Sequence, residues 1–217
     1  MTELFLNRAA GVLHDGGQRV FDAQARSWRR VPQSAVGGAA ISVDDAVRWL
    51  QRESGRPVRA PVAVIGGRDA TEAQMARAEA IGAGLAGLGL ALLCGGLTGV
   101  MTAAAKGVVE AGGVAIGILP DADWRDANPY VTYALASGVG LARNAIIAEA
   151  GFCIVAVGGS FGTLSEMAYG RQFGRTVIAL PDAPDVEGVL RVDTPEAALA
   201  QIARLVLNLD GGEKPWR

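Results

Sequence analysis

The sequence predicts an α/β protein built on a doubly wound parallel sheet, with a small β-hairpin and helix appended at its amino end. Three observations carry this prediction. From residue 58 onward short apolar runs alternate with helix-length segments, and the runs are apolar on both faces. Three of the runs end in paired glycines, Gly66-Gly67, Gly95-Gly96 and Gly158-Gly159. Strands buried on both faces need helices on both sides, and parallel pairing needs the crossover helices that this spacing supplies.

The seam between the two parts falls at Glu53-Ser54-Gly55-Arg56-Pro57, where Gly and Pro interrupt an amphipathic segment, so the chain divides into residues 1–57 and 58–217. In the first part, Gly11 to Phe21 reads as two short strands about Asp15-Gly16-Gly17. Ser42 caps a helix that places Val43, Ala46, Val47 and Leu50 on one face, with Asp44 and Asp45 in its first turn.

In the second part, Pro61 to Gly67 is a buried strand, Thr71 to Leu88 a helix, Leu90 to Cys94 a strand and Gly99 to Ala111 a helix. Val114 to Leu119 is the next strand, followed by a long polar loop and a helix near Gly140 to Ala150. Phe152 to Val157 is a strand, its helix runs to Phe173, Thr176 to Leu180 is another strand, and Pro195 to Leu207 closes the chain as a helix. In such folds ligands bind at the carboxyl ends of strands, where the paired glycines lie.

Composition narrows the function. With 20 Lys+Arg against 22 Asp+Glu the net charge is -2, so no global field recruits nucleic acid or an anionic membrane. Trp28-Arg29-Arg30 alone does not make the basic, aromatic groove of a single-strand DNA module. Cys94 and Cys153 sit inside apolar strands, which argues for buried thiols, neither disulfide nor structural zinc. The amino terminus lacks a signal sequence and no apolar run is long enough to span a membrane, so a cytoplasmic location is expected. Asp121, Asp123 and Asp126 share a polar loop and read as solvated acids, so no metal is expected.

The chemistry concentrates in Gly158-Gly159-Ser160-Phe161-Gly162-Thr163-Leu164-Ser165-Glu166, a buried strand turning through glycines into a helix. Glycines allow close backbone approach, and the free N–H groups of a helix start favour an anion, above all a phosphate. The stretch matches the Gly-x-Ser-x-Gly nucleophile elbow, but that chemistry needs a histidine later in the chain, and the single histidine is His14. No Gly-Lys-Ser or Gly-Lys-Thr makes a Walker loop, and Gly66-Gly67-Arg68-Asp69-Ala70 lacks the third glycine of a dinucleotide fingerprint. Arg143 before the cradle and Glu166 within its helix remain as the charged candidates. Dipole and guanidinium together would favour the ionised form of Glu166, able to accept a proton or stabilise a cationic sugar.

The cradle, Arg143-Asn144 and Cys94-Gly95-Gly96-Leu97-Thr98-Gly99-Val100-Met101 together resemble the LOG family, the lysine-decarboxylase-like or cytokinin riboside 5'-monophosphate phosphoribohydrolase superfamily. The likeness runs from about Pro61 to Leu180. It is closest to the branch related to DNA-processing Rossmann proteins that includes the molybdenum cofactor carrier proteins. The resemblance implies a Rossmann-like homodimer or higher homo-oligomer that binds a nucleotide or pterin phosphate, with Gly159, Gly162 and Thr163 on the phosphate. The other candidate binding residues are Gly66, Gly67, Gly95, Gly96, Thr98, Gly99, Asn144, Gly158 and Ser160 around the same strand ends. In the phosphoribohydrolases the motif is Pro-Gly-Gly-x-Gly-Thr-x-x-Glu. It implies hydrolysis of a nucleoside 5'-monophosphate to free base and ribose 5-phosphate, with Arg143 and Glu166 catalytic and no cofactor required. Here Gly158 stands for the family Pro and Ser160 for its second Gly. The alternative is a non-catalytic carrier with the molybdenum cofactor as bound ligand, which keeps the cradle and needs no hydrolysis.

Overall fold

The computed structural model describes residues 3–17, 19–31 and 37–211. Contacts divide them into two compact units, one drawn from Met1–Val58 and Ala200–Glu213, the other chiefly Arg59–Leu199.

The first unit is a five-stranded antiparallel sheet of β1 (Leu4–Asn7), β2 (Val12–His14), β3 (Arg19–Asp22), β4 (Ser27–Arg30) and β5 (Ala39–Ile41), in the order β4-β3-β2-β1-β5. The expected hairpin is its β2–β3 pair, with His14 opposite Val20; Gln18 in its turn lies outside the described residues. The unit's helix α1 (Val43–Arg52) starts at Ser42, whose hydroxyl accepts from Asp45 N–H, and buries Ala46, Val47, Trp49 and Leu50. Arg26 donates to Val206 O and Trp28 Nε1 donates to Leu207 O at 2.8 Å, so side chains from the turn into β4 and from β4 itself satisfy carbonyls at the end of the last helix.

The second unit is a seven-stranded sheet in which every pair is parallel. Its strands and helices are β6 (Val62–Gly66), α2 (Glu72–Leu88), β7 (Leu92–Cys94), α3 (Val100–Glu110), β8 (Ala115–Leu119), β9 (Tyr133–Ala136), α4 (Arg143–Ala150), β10 (Ile154–Val157), α5 (Phe161–Gln172), β11 (Val177–Ala179), β12 (Leu190–Arg191) and α6 (Pro195–Val206), the last running on into the first unit. The order is β12-β11-β10-β6-β7-β8-β9. The chain therefore winds outward from β6 through β9, then returns to the opposite side of β6 with β10. That reversal opens a crevice beyond the carboxyl ends of β6 and β10.

In the first unit β1, β4 and β5 extend the expected two-stranded hairpin into a five-stranded sheet, and in the second unit two strands lie where the sequence showed none. Tyr133–Ala136 sits in the segment read as a polar loop, and Leu190–Arg191 is a two-residue edge. Both terminate the sheet, so neither needs the two-sided apolar run that marks its inner strands.

The helices on the cleft side are held by named residues. Thr71 and Gln74 form a reciprocal capping box at the start of α2, and Gly89 ends that helix at φ 78. Gly82 of α2 and Gly107 of α3 let the two helices touch backbone to backbone, since a Cβ on Gly82 would overlap Ala104 O and one on Gly107 would overlap Glu79 O.

Candidate functional site

The two turns at the sheet reversal meet. A Cβ on Gly67 would lie 3.4 Å from the Cα of Gly159, so the turn after β6 and the turn after β10 form one continuous glycine wall. Gly66 fits because a Cβ there would overlap Val157 O on the neighbouring strand. Beyond the wall opens a cleft of about 700 Å³, a volume suited to a small-molecule ligand. Gly66, Gly67, Gly95, Arg143, Asn144, Gly159, Ser160, Gly162, Thr163 and Glu166 line it, so ten of the residues singled out in the sequence come together there.

Gly96, Thr98, Gly99 and Gly158 do not line the cleft. Gly96 packs against Leu119 and its carbonyl accepts from Asn128 N–H, while Thr98 is exposed. Gly99 is structural: at φ 67 it starts α3, and a Cβ would overlap the carbonyls of Gly67 and Arg68. Gly158 lies behind the cradle at φ 55, against the amide of Gln74. Proline cannot adopt that φ, so the loop enters its turn differently from one that begins with the phosphoribohydrolase Pro.

Ser160 is the N-cap of α5, yet its side chain makes no capping hydrogen bond. The start of this twelve-residue helix therefore lacks a side-chain cap, and Ser160, Gly162 and Thr163 there line the cleft beside Gly159. Thr163 is 3% exposed and lies against Gly159, where a Cβ would overlap its hydroxyl. Asn144 ties the start of α4 to this loop, its Nδ2 donating to Ser165 Oγ at 2.9 Å and to Gly162 O at 3.4 Å. Unpaired donors at a positive helix end suit a phosphate or another compact anion.

Deeper in the cleft sit Arg143 and Glu166, 5% and 7% exposed. Arg143 Nε has no hydrogen-bond partner. The guanidinium rests over Gly95, where a Cβ would overlap Nη1. The expectation that Glu166 is held ionised is reversed. Burial pushes its carboxyl up to about 8, and Arg143 only partly opposes the shift. Glu166 stands beyond the first turn of α5, where the helix dipole has faded, and low-dielectric surroundings dominate. At neutral pH it is a proton donor, while burial lowers the Arg143 guanidinium below its ordinary pKa, a shift that Glu166 partly opposes.

Arg68, Asp69, Thr71, Gln74, Met101 and Leu141 also line the cleft. The Thr71-x-x-Gln74 capping signature was readable, but nothing local marks Leu141, which is 74% exposed, as part of a site. His14, 8% exposed, is stacked on Phe5 within the first unit. Among the described residues no His, Cys, Asp and Glu cluster is arranged for a metal, and no helix is long and apolar enough to cross a membrane.

Residues 59–204 match the model of the SLOG cluster4 family, which covers most of the chain and all of this cleft. The chain belongs to the SLOG cluster4 family. This family member is 36% identical over 139 residues to an uncharacterised protein of Archaeoglobus fulgidus, covering 64% of this chain and 91% of that one. Its structure is similar to that of the molybdenum cofactor binding protein of the phototrophic bacterium Rippkaea orientalis, with 31% identity, a TM-score of 0.65, and 69% of this chain matched to 99% of the other. The molybdenum cofactor carrier protein of Chlamydomonas reinhardtii matches at 32% identity and a TM-score of 0.62 over the same shares.

Proposed function

We propose that this SLOG cluster4 protein binds a phosphorylated small molecule in the switch-point cleft and acts as a carrier, with a pterin phosphate, the molybdenum cofactor, as its cargo. The uncapped start of α5 beside Gly159, Gly162 and Thr163 carries this reading: its free donors would hold the phosphate. The similarity to two molybdenum cofactor proteins, at 31% and 32% identity across 99% of each, supports the pterin. The Gly158 conformation supports a loop built for holding rather than for phosphoribohydrolase chemistry. Release of the cargo would need no bond cleavage, and the protein as a homodimer is part of the same reading, checked by light scattering.

One feature favours a second reading, hydrolysis of the N-glycosidic bond of a nucleoside 5'-monophosphate. Glu166 keeps its proton to about pH 8 and could protonate a departing base, with Arg143 beside it to orient the sugar. Two measurements together separate the two. The protein is incubated with AMP at high concentration and free adenine is measured, while pterin is sought by fluorescence in protein purified from cells that make the molybdenum cofactor. Bound pterin without adenine release supports the carrier. Adenine release that disappears in Glu166→Ala establishes the hydrolase instead.

A further inference from the structure

We infer that the cleft accepts a ligand with two anionic poles: a phosphate on the start of α5 and a second anion, one helical turn deeper, paired with Arg143. The inference rests on the phosphate-binding reading and specifies the ligand class within it, a phosphate ester that also carries an acidic group.

Arg143 is 5% exposed, lines the cleft, has an Nε without a partner, and makes no ion pair among the described residues. A buried cation left unpaired costs several kcal/mol, so the site is incomplete until an anion reaches it. Its position is built in, because only a residue without a Cβ at 95 leaves room for the guanidinium. The groups around it do not neutralise it. Glu166 on α5 is protonated to about pH 8, and the buried Cys94 thiol at the end of β7 is pushed up to about 11. On the rim Arg68 and Asp69 are both exposed and opposite in charge.

The spacing is set by α5. Gly162 and Thr163 at the start of α5 and Glu166 further along it all line the cleft, the step from Thr163 to Glu166 spanning about 5 Å along a helix. The Arg143 guanidinium acts electrostatically on Glu166, which places it toward that end. A phosphate ester of a neutral alcohol fills the first pole and leaves Arg143 unpaired. A phosphorylated acid of matching length fills both.

The test uses a matched pair, glycerol 3-phosphate and 3-phosphoglycerate, which are alike in length and differ by a hydroxymethyl group against a carboxylate. Affinities are measured by calorimetry on the full chain at pH 7 and fixed ionic strength. The wild type should bind 3-phosphoglycerate about tenfold tighter or more, a difference of about 1.4 kcal/mol. Arg143→Gln should bring the ratio near one while changing glycerol 3-phosphate affinity by less than about threefold. Gly95→Ala, which displaces the guanidinium without removing its charge, should do the same. The wild-type ratio should also shrink above about pH 8 as Glu166 ionises against the second anion. Equal wild-type affinities, or a preference retained in Arg143→Gln, overturn the inference and leave phosphate binding intact. Absence of binding by both esters overturns phosphate binding and the inference together. If neither variant folds, the wild-type ratio still decides.

Discussion

Replacing Glu166 by glutamine should change how stability depends on pH. Burial lifts the Glu166 carboxyl from 4.5 to about 8, so between these values the folded protein holds a proton that the unfolded chain has released. The native state then binds more protons than the unfolded one, and stability falls as pH rises through this interval. At about 1.4 kcal/mol per pKa unit, the loss from about pH 5 to about pH 8 amounts to roughly 3 kcal/mol. Glu166→Gln keeps the size and polarity of the side chain but has no proton to lose, so it should escape this loss. Urea unfolding of both proteins at the two pH values isolates the effect, because every other titrating group is common to both. The variant should gain about 3 kcal/mol on the wild type across the interval, an advantage of several degrees in midpoint temperature for a chain this size. Parallel pH profiles would refute the reasoning, since they would mean that Glu166 ionises in the folded state as readily as in the unfolded one.

Other substitutions probe the remaining parts. Gly82→Ala should destabilise the protein by about 3 kcal/mol in chemical unfolding, because its methyl group meets the α3 backbone at Ala104 O, which cannot move aside. Gly158→Pro should lower stability by a similar roughly 3 kcal/mol, since φ 55 is closed to proline and Gln74 occupies the space. Thr163→Val, which keeps the shape and removes the hydroxyl, should weaken phosphate-ester binding about tenfold with little effect on the unfolding midpoint. Cys94 and Cys153, both fully buried with thiols pushed up to about 11 and about 12, should resist alkylation in the native protein and react once urea unfolds it.

The inner architecture was legible because parallel strands such as Val62–Gly66 and Ile154–Val157 are apolar on both faces, and the first unit's helix because Ser42 announces it. Gly66, Gly95 and Gly159 stood out at strand ends for a local reason, the turn, but what each makes room for is long-range. Nothing near Gly95 in sequence indicates that it accommodates Arg143. Likewise the position of Glu166 in α5 suggested a dipole-stabilised carboxylate, whereas burial in the folded protein raises its pKa. Tyr133–Ala136 was invisible because an edge strand with exposed Tyr133 and Leu135 lacks the burial that writes a strand into sequence. The reversal of strand order that places Gly67 against Gly159 depends on which strand pairs with which, and periodicity carries no record of that.

The central claim is that the start of α5 holds the phosphate of a carried pterin. Its most direct measurement is equilibrium binding of the molybdenum cofactor, followed by pterin fluorescence, to the wild type and to Thr163→Val. Saturable one-site binding, competed by inorganic phosphate and weakened about tenfold in the variant, is the predicted result. Absence of saturable binding, or binding that neither phosphate nor Thr163→Val affects, would contradict it.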